Sequence, residues 1–343
     1  MFNPSRLKQA RQRLALTLTM LAKESGVSLR SLTNYESGKL APSEENLVKL
    51  ANTLSVPRKF FERDAAEIVP VEAASFRKLS KTTAATRDAV LASASLAVEF
   101  FEVIESKFRL PIPDIPSFDK LDPSHAAELV RHRWNFGDRP IPNMLHLLES
   151  KGVRVAALHH EYTDIDAFCF MRDNKPYVFL NTSRSAERQR FDLAHELGHL
   201  VLHGDLEMDP STSKEREIEA NRFAASFLMP GSCIRAQSMR GASIKRILAA
   251  RSFWKVSAMA MTHRLHELGL LSDWQYRSNC MTLSELGYRK AEPGGIVPEA
   301  SQLLRKVMFG STNKVSVSEA STYLDLYSTD VRDFVRNLVP VAA

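Results

Sequence analysis

Apolar positions recur at helical spacing along most of the chain and change to strand-like runs only between about residues 153 and 182. Ser5–Ala15 sets Leu7, Ala10, Leu14 and Ala15 on one face, with Lys and Arg on the other. In the next stretch, TLTMLAKESGVSLRSLTNYESG, Thr17 is suited to cap a helix striped by Leu18, Leu21 and Ala22, and Gly26 to take a tight turn. Ser28 then caps a second short helix, with Leu32 and Tyr35 inward and Arg30, Ser31 and Asn34 outward. Pro42-Ser43 opens another amphipathic helix carrying Leu47, Leu50, Ala51 and Leu54.

Further along, an alanine-rich helix is expected over about 84–107, stopped by Pro111, Pro113 and Pro116. It reads as a lever between modules or a dimer surface. PSHAAELVRHRWNFG and IPNMLHLLESKG predict two helices closing on Gly137 and Gly152. VRVAALHH, IDAFCFMR and KPYVFLNT are β-rich, and Asp173-Asn174 turns the last two into a hairpin. Helical spacing returns in RFDLAHELGHLVLH and SKEREIEANRFAASFLMP, then in the stretch with Trp254, Val256, Ala260, Leu265 and Leu268 as core positions. The last segment, VSVSEASTYLDLYSTDVRDFV, predicts a helix, a turn and a helix, read as a packing or dimerisation element. The expected fold class is mainly α with a small β-sheet (α+β). The expected organisation is a helix-turn-helix bundle over 1–64, a helical linker over 65–110, a mixed domain over 111–270 and a helical region over 271–343.

Composition narrows the class. With 343 residues, 44% hydrophobic and 25% charged, the chain suits two or three soluble globular domains. The apolar runs are too short for a membrane span, and MFNPSRLKQARQR lacks the apolar core of a signal peptide. Three cysteines (Cys169, Cys233 and Cys280), odd in number and without CxxC spacing, point to reduced thiols in a cytoplasm and not to metal ligands.

The net charge of +6 matters because of where it sits. Residues 1–64 hold eleven Lys and Arg against six Asp and Glu, and the rest of the chain thirty-five against thirty-four. A small basic head on a nearly neutral body is the electrostatic footprint of a nucleic-acid-binding module. Two short helices around a glycine turn inside that head suit a helix-turn-helix whose second helix enters the major groove.

The densest chemistry lies in His195-Glu196-Leu197-Gly198-His199. On a helix, residues i and i+4 share a face, so both imidazoles can reach one tetrahedral Zn²⁺ with Glu196 beside its open position. Phe191, Leu193, Ala194, Leu197, Leu200, Val201 and Leu202 make that helix largely buried, where two histidines and a glutamate need compensation. A third ligand is expected from the helix that follows. Glu217 is preferred because Asn221 shares its face and can steady a carboxylate or a histidine. Glu219 stays a second choice, rotated by roughly 200°. His203 reads as a hydrogen-bonded histidine near the helix end. Tyr177 and Arg190 are candidate oxyanion stabilisers, and His263 with His266 reads as a solvated basic face.

LAKESGVSLRSLTNYESGKLAPSEENLVKLANTLSV closely resembles the Xre/Cro-type helix-turn-helix family over residues 5–61. The resemblance implies that Ser28, Arg30, Ser31 and Asn34 face base edges, with Lys39 near phosphate. Leu18 departs from that family, which often has Gln there. ERQRFDLAHELGHLVLH followed by EIEANRFAASFLMP resembles the ImmA/IrrE metallopeptidase family over roughly 75–265. That likeness implies zinc ligands His195, His199 and Glu217, with Glu196 as general base.

Together these readings describe a cytoplasmic regulator on double-stranded operator DNA. It is expected to be a homodimer and to carry a zinc endopeptidase that cleaves a partner such as a co-encoded repressor or antitoxin. The alternative is a non-proteolytic transcription factor or antitoxin in which the peptidase fold senses or binds.

Overall fold

The computed structural model describes residues 1–70, 83–159, 162, 164–204, 212–310 and 314–339. Within the expected linker, 71–82 therefore lie outside the described residues, as does His160 at the end of the first β-rich run. Among the described residues no helix is long and apolar enough to cross a membrane.

The helical bundle opens with α1 (Pro4–Arg13), α2 (Leu18–Ser25), α3 (Leu29–Glu36) and α4 (Glu44–Thr53), followed by a 3₁₀ turn at Arg58–Glu62. Next come α5 (Ala84–Glu105), α6 (Pro123–Arg133) and α7 (Met144–Ser150). The strands β1 (Arg154–Ala157), β2 (Ala167–Arg172) and β3 (Lys175–Leu180) lead into α8 (Ala186–His203) and α9 (Ser213–Leu228). After these run α10 (Gly231–Ala236), α11 (Ile244–Trp254), α12 (Ala258–Glu267) and α13 (Asp273–Glu285). The chain closes with α14 (Gln302–Phe309), α15 (Val317–Leu324) and α16 (Ser328–Phe334). The class is mainly α with a small sheet, as the periodicity predicts.

Two compact units share these elements: Met1–Leu110 with Ala156–Ile165 and Gln302–Ala343, and Pro111–Val155 with Asp166–Ser301. In the first, local chemistry starts and stops each short helix. Thr17, Ser28 and Ser43 accept the backbone N–H groups of Met20, Ser31 and Asn46, satisfying donors that the first turn leaves open. Gly26 ends α2 in the left-handed region at φ 70°, which L side chains adopt at a cost. Leu7, Ala10, Leu21, Leu32, Tyr35, Leu47, Leu50, Ala51 and Leu54 are buried as expected. Leu14 and Ala15 are not part of the inward stripe: α1 ends at Arg13, Leu14 caps it and is exposed, and Ala15 takes φ 54°.

α5 carries Leu91, Leu96, Phe100, Phe101 and Ile104 into the interior of this unit and packs on α1. Arg6 of α1 and Arg63 each reach the Glu99 carboxylate at 2.6 Å. The helix is thus a core element here and not the free lever its composition predicts. α15 packs on α5, and Arg13 pairs with Asp330 at 2.8 Å, so the last two helices complete the same unit.

The sheet runs in the order β1-β3-β2, and β2 and β3 lie in the second unit. The β2–β3 hairpin pairs antiparallel from Ala167 opposite Leu180 to Arg172 opposite Lys175. Asp173 and Asn174 both sit at positive φ, the geometry that a two-residue hairpin turn of matching twist needs. Phe168, Phe170 and Phe179 stack on one another. α8 lies on β2 and β3 with Leu193 and Leu197 buried, each side chain stabilising by about 1.5–3 kcal/mol. α9 packs along α8 and is flanked by α6.

Candidate metal centre

Ser185 starts α8 by accepting the Arg188 N–H, and the helix then runs without a break through the His-Glu-Leu-Gly-His segment. One helical turn sets His195 and His199 side by side, with their Nε2 atoms 3.1 Å apart. α9 passes close over the small residue between them, Gly198. That approach brings Glu217 to the pair: its carboxylate lies 3.3 Å from His199 Nε2 and 3.5 Å from His195 Nε2. One ligand-type atom from each of the three lies within 4.8 Å of the others.

Two nitrogens and one carboxylate oxygen converging in a buried site form a donor set that suits a divalent ion such as zinc. The surroundings fit as well. His195 Nδ1 and Glu196 Oε2 are buried without a hydrogen-bond partner among the described residues. Stranded polar atoms of this kind are costly and gather at functional sites.

Electrostatics divide the four groups. Burial, opposed by the nearby His195, pushes Glu196 up to about 7. Burial also pushes the His199 imidazole down to about 4, which keeps it neutral with a nitrogen lone pair to offer. At His195, burial is outweighed by the Glu217 hydrogen bond and the Glu196 charge, and the pKa rises. Glu217 is held well below the usual carboxylate range, because hydrogen bonds and charge from both histidines overcome its burial. Cys169 on β2 donates its thiol to the Glu196 carbonyl at 3.5 Å, and burial with the neighbouring Glu196 holds that thiol protonated.

Several expectations change at this point. Glu219 does not join the cluster; it accepts from His203 Nε2 at 2.9 Å. Asn221 donates to the backbone carbonyl of Glu217 at 2.7 Å and so steadies the helix, not the carboxylate. Arg190 is committed to Glu299 and to the carbonyls of Ile141 and Lys255, and is buried at 1% exposure. Tyr177 is a buried β3 residue whose ring stacks on Phe170. His266 pairs with Asp273 at 2.8 Å and stacks on Tyr276. Sequence reasoning did not find the contact of His203 Nδ1 with His199 Nδ1 at 3.1 Å, although the i+4 step from His199 to His203 is its visible trace.

In the first unit, Ser28, Arg30 and Lys39 are exposed and Ser31 and Asn34 half-buried, on or beside α3. The Ser28 hydroxyl lies 2.8 Å from that of Ser31. Lys39 is held at the end of α3 by its N–H to the Asn34 carbonyl. Leu18, at the first position of α2, is half-buried.

Fold and site together define a helix-turn-helix module joined to an α+β unit whose central helix carries two histidines and meets a glutamate of the next. Residues 7–61 match the family model described as "Helix-turn-helix", and residues 148–266 match the "IrrE N-terminal-like domain" of the M78 peptidases. The chain therefore carries both domains, the second being the ImmA/IrrE type that its motif resembles. A curated relative, the cryptic phage CTXphi transcriptional repressor RstR of Vibrio cholerae serotype O1, is 43% identical over 51 residues. That match covers 15% of this chain and 46% of the relative, so the chain spans about half the length of the curated protein it matches.

Proposed function

We propose that this chain is a DNA-binding transcriptional regulator carrying a zinc-dependent endopeptidase that cleaves a partner repressor or antitoxin. The observation that carries the enzymatic half is the convergence of His195, His199 and Glu217 within 4.8 Å beside the buried Glu196. Zinc held by these three residues would supply Lewis-acid polarisation of a scissile carbonyl and an acidified water at neutral pH. Glu196 would carry the proton between water and leaving group. A carboxyl group pushed up to about 7 can accept it from the attacking water and deliver it to the leaving amine.

The basic head and the exposed Ser28, Arg30 and Lys39, on or beside α3, support the DNA-binding half. Ser28, Arg30, Ser31 and Asn34 are the residues for base edges, and Lys39 for phosphate. Such readers act as symmetric dimers on paired half-sites, and a homodimer in the cytoplasm is the working state in this reading. The relative named a transcriptional repressor favours a second reading, in which the chain reads DNA and the metal centre senses without cutting.

The test is incubation of the zinc-loaded full chain with the repressor or antitoxin encoded beside it, followed by mass spectrometry of the products. Cleavage by the parent protein and none by Glu196→Gln with equal zinc content supports the first reading. An intact partner, together with salt-sensitive operator binding, supports the second.

A further inference from the structure

We propose that the outer face of α13, from Trp274 to Glu285, is the surface on which a second copy of this chain docks, antiparallel and about a two-fold axis at Met281. The pairing does not depend on whether the metal centre cuts.

α13 has two unlike faces. On the inner one, Leu283 is fully buried, Tyr276 stacks on His266 of α12 with ring centres 4.4 Å apart, and Asn279 donates to the Ala242 carbonyl at 3.4 Å. Positions 274, 277, 278, 281 and 285 fall within about 100° of helical rotation on the opposite side. Trp274 there is 72% exposed, more than any other Phe, Tyr or Trp among the described residues, and Met281 is 65% exposed. Both residue types are enriched at the centres of protein interfaces, and their apolar area is recovered only by burial against a partner.

Charge names the partner. Counted outward from Met281 in steps of four, Arg277 and Asp273 stand on one side and Glu285 and Arg289 on the other, all four exposed. The order along the chain is acid, base, methionine, acid, base. Turned end for end about Met281, this series meets its own counter-charges. Arg277 faces Glu285 of the second copy, and Asp273, which also holds His266, faces Arg289. Ser278 and Ser284 exchange places in the same way. A parallel arrangement would instead set Arg on Arg and Glu on Glu. A two-fold interface requires a patch complementary to itself, and α13 carries one.

The elements that composition offers for dimerisation are used elsewhere, because α5 and α15 pack on each other inside the first unit. α13, in the second unit, keeps Trp274 and Met281 open. One helix pair buries less than the roughly 1,200–2,000 Å² of a stable interface, so association through this face depends on concentration.

Sedimentation velocity of the full-length protein without DNA, from about 1 to 100 μM, reads the dimer. The variants are Met281→Glu, Arg277→Glu, Glu285→Arg and the combination of the two charge reversals. All lie at exposed positions, and thermal unfolding shows that each is folded. The parent protein should pass from monomer toward dimer over this range. Met281→Glu brings two carboxylates together at the axis and should abolish the dimer, and each single reversal should weaken it at least about tenfold. The double reversal should restore the parent affinity to within about threefold, which a merely local role of either residue would not produce. A parent protein that stays monomeric throughout overturns the proposal. A dimer indifferent to Met281→Glu preserves the homodimer of the functional reading and removes α13 from it. A double reversal as weak as the single ones overturns the antiparallel register. If the parent is monomeric and Met281→Glu at full zinc content no longer cleaves the co-encoded partner, the face belongs to that partner and the proposal falls.

Discussion

Gly198 of α8 faces Ala220 of α9 so closely that a Cβ on the glycine would lie 3.2 Å from both the Cα and the carbonyl oxygen of Ala220, and 3.1 Å from the Phe223 ring. The space between the two histidines is therefore filled by backbone of the neighbouring helix. Backbone cannot rotate away as a side chain can. The small residue inside the motif is thus a requirement of packing, and through packing of the reach of Glu217.

Replacing it should be read in two quantities together. Gly198→Val forces α9 outward, and overpacking of this kind costs about 1–3 kcal/mol. Thermal unfolding should show that loss in the metal-free protein, and zinc competition should show an affinity at least about tenfold weaker, because Glu217 moves with α9. Unchanged zinc affinity would mean that α9 does not set the position of Glu217.

Removal of the ion should be visible as stability. A ligand bound only by the folded state stabilises it, by about 2.7 kcal/mol at a hundredfold excess over its dissociation constant. Chelation should therefore lower the melting temperature of the parent protein and leave that of Glu217→Ala nearly unchanged. Equal shifts in the two proteins would remove Glu217 from the metal set.

Two substitutions in the first unit separate base reading from backbone contact. Arg30→Ala should weaken operator binding by about 1–3 kcal/mol and relax preference at one base position. Lys39→Ala should weaken binding to all sequences alike and lower the slope of log affinity against log salt by about 0.9. Fluorescence anisotropy on operator and scrambled duplexes across a salt series reads both. Reversed signatures would reassign the two residues.

Glu292 offers a test of pH dependence away from the metal cluster. Burial, with help from the charge of Glu187 and against the pull of Arg251 and the Ala258 N–H, raises its pKa to about 6. The folded state thus binds this proton more tightly than the unfolded chain does. The resulting stability is fully present below the unfolded value near 4.5 and is lost as pH rises through about 6. The shift corresponds to about 2 kcal/mol as an upper bound. Denaturant unfolding of the parent protein and Glu292→Gln between those pH values should show the parent losing up to that much relative to the variant. Parallel curves would rule out Glu292 as the source.

Much of this was visible in residue order because its causes are local. The caps at Thr17, Ser28 and Ser43 and the left-handed Gly26 act within one turn of chain, so α2, α3 and α4 fall where periodicity places them. Asp173-Asn174 specifies the hairpin for the same reason. Leu14 and Ala15 escaped because a helical stripe does not reveal where the helix ends, and α1 stops one residue before Leu14. The alanine-rich α5 reads as a lever or a dimer surface because small apolar faces fit a free helix and a buried one equally. Only its neighbours, with Arg6 and Arg63 closing on Glu99, distinguish them.

The metal cluster divides along the same line. The i, i+4 spacing of His195 and His199 follows from helical geometry alone, so residue order suffices to place both rings on one face. The choice between Glu217 and Glu219, and the meeting of His203 with His199, depend on how α9 lies across α8. Those contacts join residues far apart in the chain, and no local periodicity encodes them. Packing at Gly198 decides which carboxylate reaches the histidine pair and which one is left to hold His203.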